Sequence, residues 1–179
     1  MLTEPQRDAL LTIARSAIAS HFAGGPRLAA GDLPMPRADG VFVTLKQGGS
    51  LRGCLGTFAC GPDLGATVAR CAVDSATQDP RFAAVTPAEA PGLSIEISVL
   101  GPLEPIDPHA PGAVVVGRHG LVVEQQEHRG LLLPQVASER GWTVDEFLRQ
   151  TSIKAGLPPD AWRRGATVSR FTADVFGDA

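Results

Sequence analysis

The chain has 179 residues, 44% of them hydrophobic and 20% charged, with a formal net charge of −3. That length is enough to bury a substantial core, and the balance excludes both a disordered chain and a strongly basic nucleic-acid binder. No run approaches the ~20 apolar residues of a membrane span, and residues 1 to 22 lack the basic head and apolar block of a signal peptide, so a cytoplasmic location is expected.

The first element reads as an amphipathic helix. Thr3 and Gln6 have capping-box spacing, and Leu10, Ile13, Ala14, Ala17, Ile18 and Phe22 recur at helical intervals until Gly24 and Gly25. His21, in its last turn, suits the helix dipole. Residues 26–40 are rich in Gly and Pro and predict a long wrapping loop. VFVTLKQGGSLRGCLGTFAC follows as two strands, joined by a turn at Gln47 to Ser50 because Gly48 and Gly49 can take the positive φ of a tight hairpin.

Asp63 to Gln78 predicts a helix with Leu64, Val68, Cys71, Ala72 and Ser75 on one stripe, which gives Cys71 a core role. After a turn at DPRF, LSIEISVL alternates as a half-buried strand. Four prolines between Gly101 and Pro111 interrupt regular structure and mark a crossing into a smaller subdomain. AVVVGRHGLVVE reads there as a hairpin with Gly117 to Gly120 at its tip, and RGLLLPQVAS as a buried extended run. Thr143 and Glu146 cap a helix that ends at Gly156, and VSRFTADVF returns as a strand to the main sheet. Strands and helices without strict βαβ alternation predict an α+β fold: an antiparallel sheet flanked by helices, with a smaller inserted β-rich subdomain. The expected division is a larger part of about 1–100 plus 158–179 and a smaller part of about 101–157.

Chemistry concentrates at LRGCLGTF, Leu51 to Phe58. In a regular strand Arg52, Cys54, Phe58 and Cys60 share a face, with Arg52 roughly 7 Å along from Cys54. A guanidinium folded toward the sulfur favours the thiolate and offers a fork for an anion. Gly53 and Gly56 bracket the cysteine, and glycine inside a strand marks a bulge or a close approach by ligand or backbone. A free cysteine can equally fill space in a core, so both readings stay open. Cys60 is expected to be structural. An odd total of three cysteines suits reduced thiols in the cytosol.

A nucleophilic thiol needs a base. His119, at the glycine-flanked GRHG, and Glu96, on the polar face of LSIEISVL, are the candidates. Asp79 and Arg81 in DPRF read first as turn residues, with Arg81 a possible anion contact. No group of His, Cys, Asp and Glu has metal-ligand spacing, and no phosphate loop, dinucleotide fingerprint or serine elbow occurs. Neither a metal nor a cofactor is expected.

LRGCLGTF preceded by FVTL, then DPRF, IEISVL, GRHGL, GLLLPQVA, GWTVDEFL and KAGLPPDAW resemble, in content and order, the AMMECR-one domain family, known in microbes as protein A of the AmmeMemoRadiSam system. The resemblance implies an α+β fold whose larger part draws on both chain ends, and association with a radical S-adenosylmethionine (SAM) protein and a Memo-like protein. It also implies motif positions at Arg52, Gly53, Cys54, Asp79, Arg81, Glu96, His119, Gly120, Pro134, Gln135 and Lys154. Where relatives often carry a cysteine before KAGL this chain has Ser152, which speaks against a dithiol mechanism through that position.

The functional expectation is a Cys54-dependent catalytic or small-ligand-binding component acting with those two partners on a small-molecule substrate. Cys54 would serve as nucleophile or covalent carrier, and His119 or Glu96 would transfer the proton. Arg52, Gly53, Arg81 and Lys154 would hold the substrate or an anion. The other reading is a non-enzymatic interaction module for protein partners or, the weaker branch given the acidic balance, for nucleic acid.

Overall fold

A computed structural model describes residues 2–24 and 33–178. The chain divides into two units, Met1–Leu100 with Asp174–Ala179, and Gly101–Ala173.

In the first unit, helix α1 (Glu4–Ala23) opens with Pro5 in its first turn, and the Gln6 Oε1 accepts the Thr3 N–H at 2.8 Å. Gly24, at φ 70°, closes it by donating its N–H to the Ser20 carbonyl. Gly25 and residues 26–32 of the expected wrapping loop lie outside the described residues. Strands β1 (Gly40–Gln47) and β2 (Ser50–Thr57) form the expected hairpin, with Gly48 and Gly49 at φ 55° and 81°. Strand β3 (Ser94–Leu100) pairs with the other side of β1, all antiparallel. Helix α2 (Leu64–Thr77), capped by Asp63, packs with α1 on Val41, Val43, Leu45, Ile95 and Ile97. Period-two alternation sends those five residues to the core and leaves Phe42, Thr44, Lys46 and Glu96 on the opposite face.

The second unit holds β4 (Glu104–Ile106), β5 (His119–Gln125), β6 (His128–Leu132) and most of β7 (Thr167–Gly177), again antiparallel. Helices α3 (Pro134–Glu139) and α4 (Val144–Lys154) accompany them, with Leu121, Val123, Phe147, Leu148, Trp162 and Val168 in its core. The molecule is α+β, and no helix among the described residues is long and apolar enough to cross a membrane.

Four details differ from the sequence reading. Pro105 sits inside β4, which is tolerated because that strand lies at an edge. The 101–157 hairpin turns at Gln126 and Glu127 instead of at Gly117 to Gly120, because Gly120 is a strand residue whose missing side chain makes room for the Phe171 ring. PQVAS is not extended but begins α3, with proline in the first turn, where its missing N–H does no harm. Residues 158–173 belong with the second unit, since Ala161, Trp162, Ala166 and Val168 complete its core.

Candidate functional site

The register of the first unit builds a row of side chains. Thr44 lies directly opposite Cys54 on one side and Glu96 on the other, so Cys54, Thr44 and Glu96 share the sheet face away from α1 and α2. All three are half-buried. The Thr44 hydroxyl donates to Cys54 Sγ at 3.2 Å and orients the sulfur. Glu96 stands two strand spacings from Cys54, roughly 10 Å between Cα atoms, and its carboxylate holds Lys46 Nζ at 3.0 Å on the same face. At the other end of the face Phe42 and Phe58 meet edge to face, 5.5 Å between centroids.

The backbone of Cys54 is fixed from the outer edge of β2. Asp79, 2% exposed, accepts the Cys54 N–H at 2.8 Å, while Arg81 Nη2 donates to the Cys54 carbonyl at 3.3 Å and to Asp79 at 2.7 Å. The Arg81 guanidinium and the two backbone N–H groups hold the Asp79 carboxyl well below the usual carboxylate range, against the opposing effect of burial. Asp79 is therefore more than a turn residue: it caps an exposed strand edge. Arg81 is 55% exposed, and its Nη1 makes no hydrogen bond among the described residues. It is the guanidinium that touches the Cys54 peptide.

Arg52 takes a different place from the one its spacing suggested. The β1–β2 register shifts at Leu45/Lys46, so that Gly53 faces Leu45, Leu51 faces Lys46 and Arg52 is left in a bulge. Its side chain reaches Glu89 through Nε (3.1 Å) and Nη2 (3.3 Å), and the carbonyls of Ala83 and Ala84 through Nη1 and Nη2. Four of its five N–H donors are thus spent on tying the 83–89 segment to β2, and no bond to the sulfur is among them. Gly53 likewise serves packing: its buried α-carbon faces the Ser75 carbonyl of α2, and a Cβ there would collide with it. Gly56 makes room for the Phe42 ring and the Val41 carbonyl. The two glycines around Cys54 admit protein atoms.

His119 is the buried first residue of β5 in the second unit, not the tip of a turn. Its Nδ1 accepts the Val115 N–H at 3.0 Å, so the proton of the neutral ring sits on Nε2. Burial, then the charges of Arg170 and Arg118, push its pKa down, with Glu104 opposing. In this tautomer the ring donates and has no lone pair left for a base. Lys154 lies exposed in the last turn of α4 in the second unit, where its charge suits the helix end. Ser152 is fully buried in that helix and donates to the Leu148 carbonyl at 2.9 Å.

The remaining thiols are unlike Cys54. Cys71 is buried on the core side of α2 and its pKa is pushed up to about 11, and Cys60 packs against the same core and is also raised by burial. Among the described residues no three His, Cys, Asp or Glu side chains are grouped to hold a metal ion. Thr44 and Lys46 were missed from sequence, although the alternation of FVTLK places both on Phe42's face. Chemically the face offers one oriented thiol, a carboxylate paired with an ammonium, and an aromatic pair.

Taken together, fold and face define a two-unit α+β protein carrying a half-exposed thiol on the edge strand of the β2–β1–β3 face. The AMMECR1 family model matches residues 11–176, and the chain belongs to that family. It is 43% identical to a protein of Methanothermobacter thermautotrophicus, covering 98% of this chain and 95% of that one. It is 48% identical to a protein of Thermococcus gammatolerans over 76% of this chain and 71% of the other. The crystal structure of the uncharacterized protein PH0010 from Pyrococcus horikoshii superposes with a TM-score of 0.89 at 38% identity, covering 99% of this chain and 93% of that one.

Proposed function

We propose that this protein is a cytoplasmic, Cys54-dependent catalytic or small-ligand-binding component that acts together with a radical SAM protein and a Memo-like protein. The observation that carries the thiol reading is the Thr44 hydroxyl donating to Cys54 Sγ on a half-exposed face. A space-filling cysteine needs no oriented donor and would sit in the core, as Cys71 does. The partners rest on the system to which the family resemblance points.

In this reading Cys54 attacks or carries the substrate, and Glu96, its carboxylate held in place by Lys46, moves the proton. Arg81, with Nη1 open beside the Cys54 peptide, takes the anion-contact role first assigned to Arg52. Glu96 is preferred to His119 as the base because the His119 tautomer donates.

Alkylation of the native protein with iodoacetamide tests the thiol. Cys54 is expected to react first, whereas Cys71, with roughly one thiol in 10⁴ ionised at neutral pH and buried besides, stays unmodified until the protein unfolds. A Cys54 that remains inert up to pH 9 in the folded protein removes the nucleophile role. The interaction-module reading is separated by co-purification with the two partners. Leu51, 41% exposed beside the bulge, is the handle. If Leu51→Asp abolishes capture while Cys54→Ala preserves both capture and cellular function, contact and not chemistry is the role of this strand.

A further inference from the structure

The second unit contains a small cleft that the thiol chemistry does not use. It is about 130 Å³ in volume and is lined by Pro102, Glu104, Arg118, His119 and the β7 residues Arg170, Phe171 and Thr172. The strand register explains how they meet. His119 lies opposite Thr172 across β5 and β7, and Arg170 lies opposite Glu104 across β7 and β4, so these four polar residues share one sheet face at the end of the Leu121, Val123 and Val168 core.

The donors outnumber the acceptors. Arg170 spends Nε on Glu104 at 2.9 Å and Nη1 on the Ala113 carbonyl at 2.9 Å, which leaves Nη2 with no hydrogen bond among the described residues. The Arg118 side chain makes no hydrogen bond or ion pair among them. His119 presents Nε2–H, because its Nδ1 is taken by the Val115 N–H, and Thr172 adds a hydroxyl. Glu104 is the one carboxylate, and Arg170 already neutralises it. Net positive charge, fixed N–H donors and a volume fit for a few heavy atoms together match one kind of guest.

We propose that this cleft is a binding site for a small oxyanion, the phosphate or carboxylate end of a metabolite, held by Arg118, Arg170 Nη2, His119 Nε2–H and Thr172. Arg118 supplies the charge and His119 the directional hydrogen bond. The ring works as a neutral donor: protonating Nδ1 would break the bond from Val115, so the site needs the imidazole and not the imidazolium. The charged groups facing the ring are Arg118 from the turn before β5, Arg170 from β7 and Glu104 from β4, and the two cations outweigh the one anion. This inference stands apart from Cys54, which belongs to the first unit.

Titrating the full-length protein with inorganic phosphate, and separately with acetate, at constant ionic strength tests it, read by the side-chain nitrogen resonances of the histidines. The expected result is a saturable shift at His119 Nε2 with at least one of the two anions, with Nδ1 remaining the unprotonated nitrogen. Arg118 is exposed, so Arg118→Gln should fold normally and weaken binding about tenfold, the loss of one charge-assisted contact. Thr172→Val should weaken it less. Arg149→Gln, on α4 beside Glu146, should change nothing, and Cys54→Ala should bind like wild type. A His119 resonance that moves only linearly with either anion up to 50 mM, or equal affinities for wild type and Arg118→Gln, would overturn the assignment. A His119 found protonated on Nδ1 in the free protein at pH 7 would do so as well.

Discussion

Gly53→Ala is expected to destabilise the first unit by at least ~2 kcal/mol and to lower its melting temperature by roughly 5 °C or more. Gly53 faces Leu45 on the core side of β2, where α2 lies so close that the added methyl would enter the Ser75 carbonyl oxygen. A flexible side chain could step aside; a helix backbone cannot do so alone. Ser75 makes the contact stiffer, since its Oγ accepts the Leu55 N–H at 2.8 Å and donates to the Val43 carbonyl at 2.8 Å. Sliding the helix outward would break bonds to both strands in a buried place. Gly61→Ala is the control, because its Cβ would meet open space. Thermal unfolding that shows the two variants equal would mean that helix and strand are not held as closely as the packing requires. The same variant should speed alkylation of Cys54, whose peptide would lose its fixed position.

Asp79→Ala is expected to destabilise by about 2–4 kcal/mol. The buried carboxylate accepts four N–H groups, those of Cys54 N, Arg81 N, Arg81 Nε and Arg81 Nη2. Removal leaves the Cys54 N–H without a partner on a strand edge and frees Arg81 from its clamp. Asp79→Asn should fall between wild type and alanine, since its amide oxygen can still accept from Cys54 while its NH₂ would confront the Arg81 donors. Acid separates charge from shape. The folded-state pKa of Asp79 is depressed, so its stabilisation is complete above the unfolded value near ~4 and is lost as pH falls below it. Chemical denaturation of wild type and Asp79→Asn should therefore differ most near neutral pH and converge progressively below about pH 4. A gap that stays constant down to pH 2.5 would show that the ionised carboxylate is not what holds the edge.

The elements whose patterns are local were legible in the sequence. The Thr3 and Gln6 cap, the Gly48–Gly49 hairpin and the alternation of LSIEISVL each depend on neighbours a few residues away, and each is present. Those needing distant partners were not. Arg52 has the right spacing to share a face with Cys54, and only the bulge, set by pairing with Leu45 and Lys46, turns it toward Glu89. Gly53 and Gly56 announced a close approach without saying whether ligand or protein would make it. His119 looked exposed because GRHG carries two glycines, yet Gly120 is small to admit Phe171, fifty-one positions on. Thr44 could have been found: once FVTLK is read as a strand beside LRGC, the residue facing the cysteine is a hydroxyl.

Strand β7 makes the two units unequal in what each needs to be complete. Residues 167–173 complete the second unit, and the residues that follow finish the first: Asp174 accepts from the Leu2 N–H at 2.6 Å and from Arg7 Nη2 at 2.7 Å, and Asp178 accepts from the Ile95 N–H at 2.8 Å. The first hundred residues are closed by this short segment from the far side of the insertion, whereas the inserted unit is complete without it. A chain truncated after residue 173 should keep a protease-resistant second unit beside a first unit that is open to cleavage.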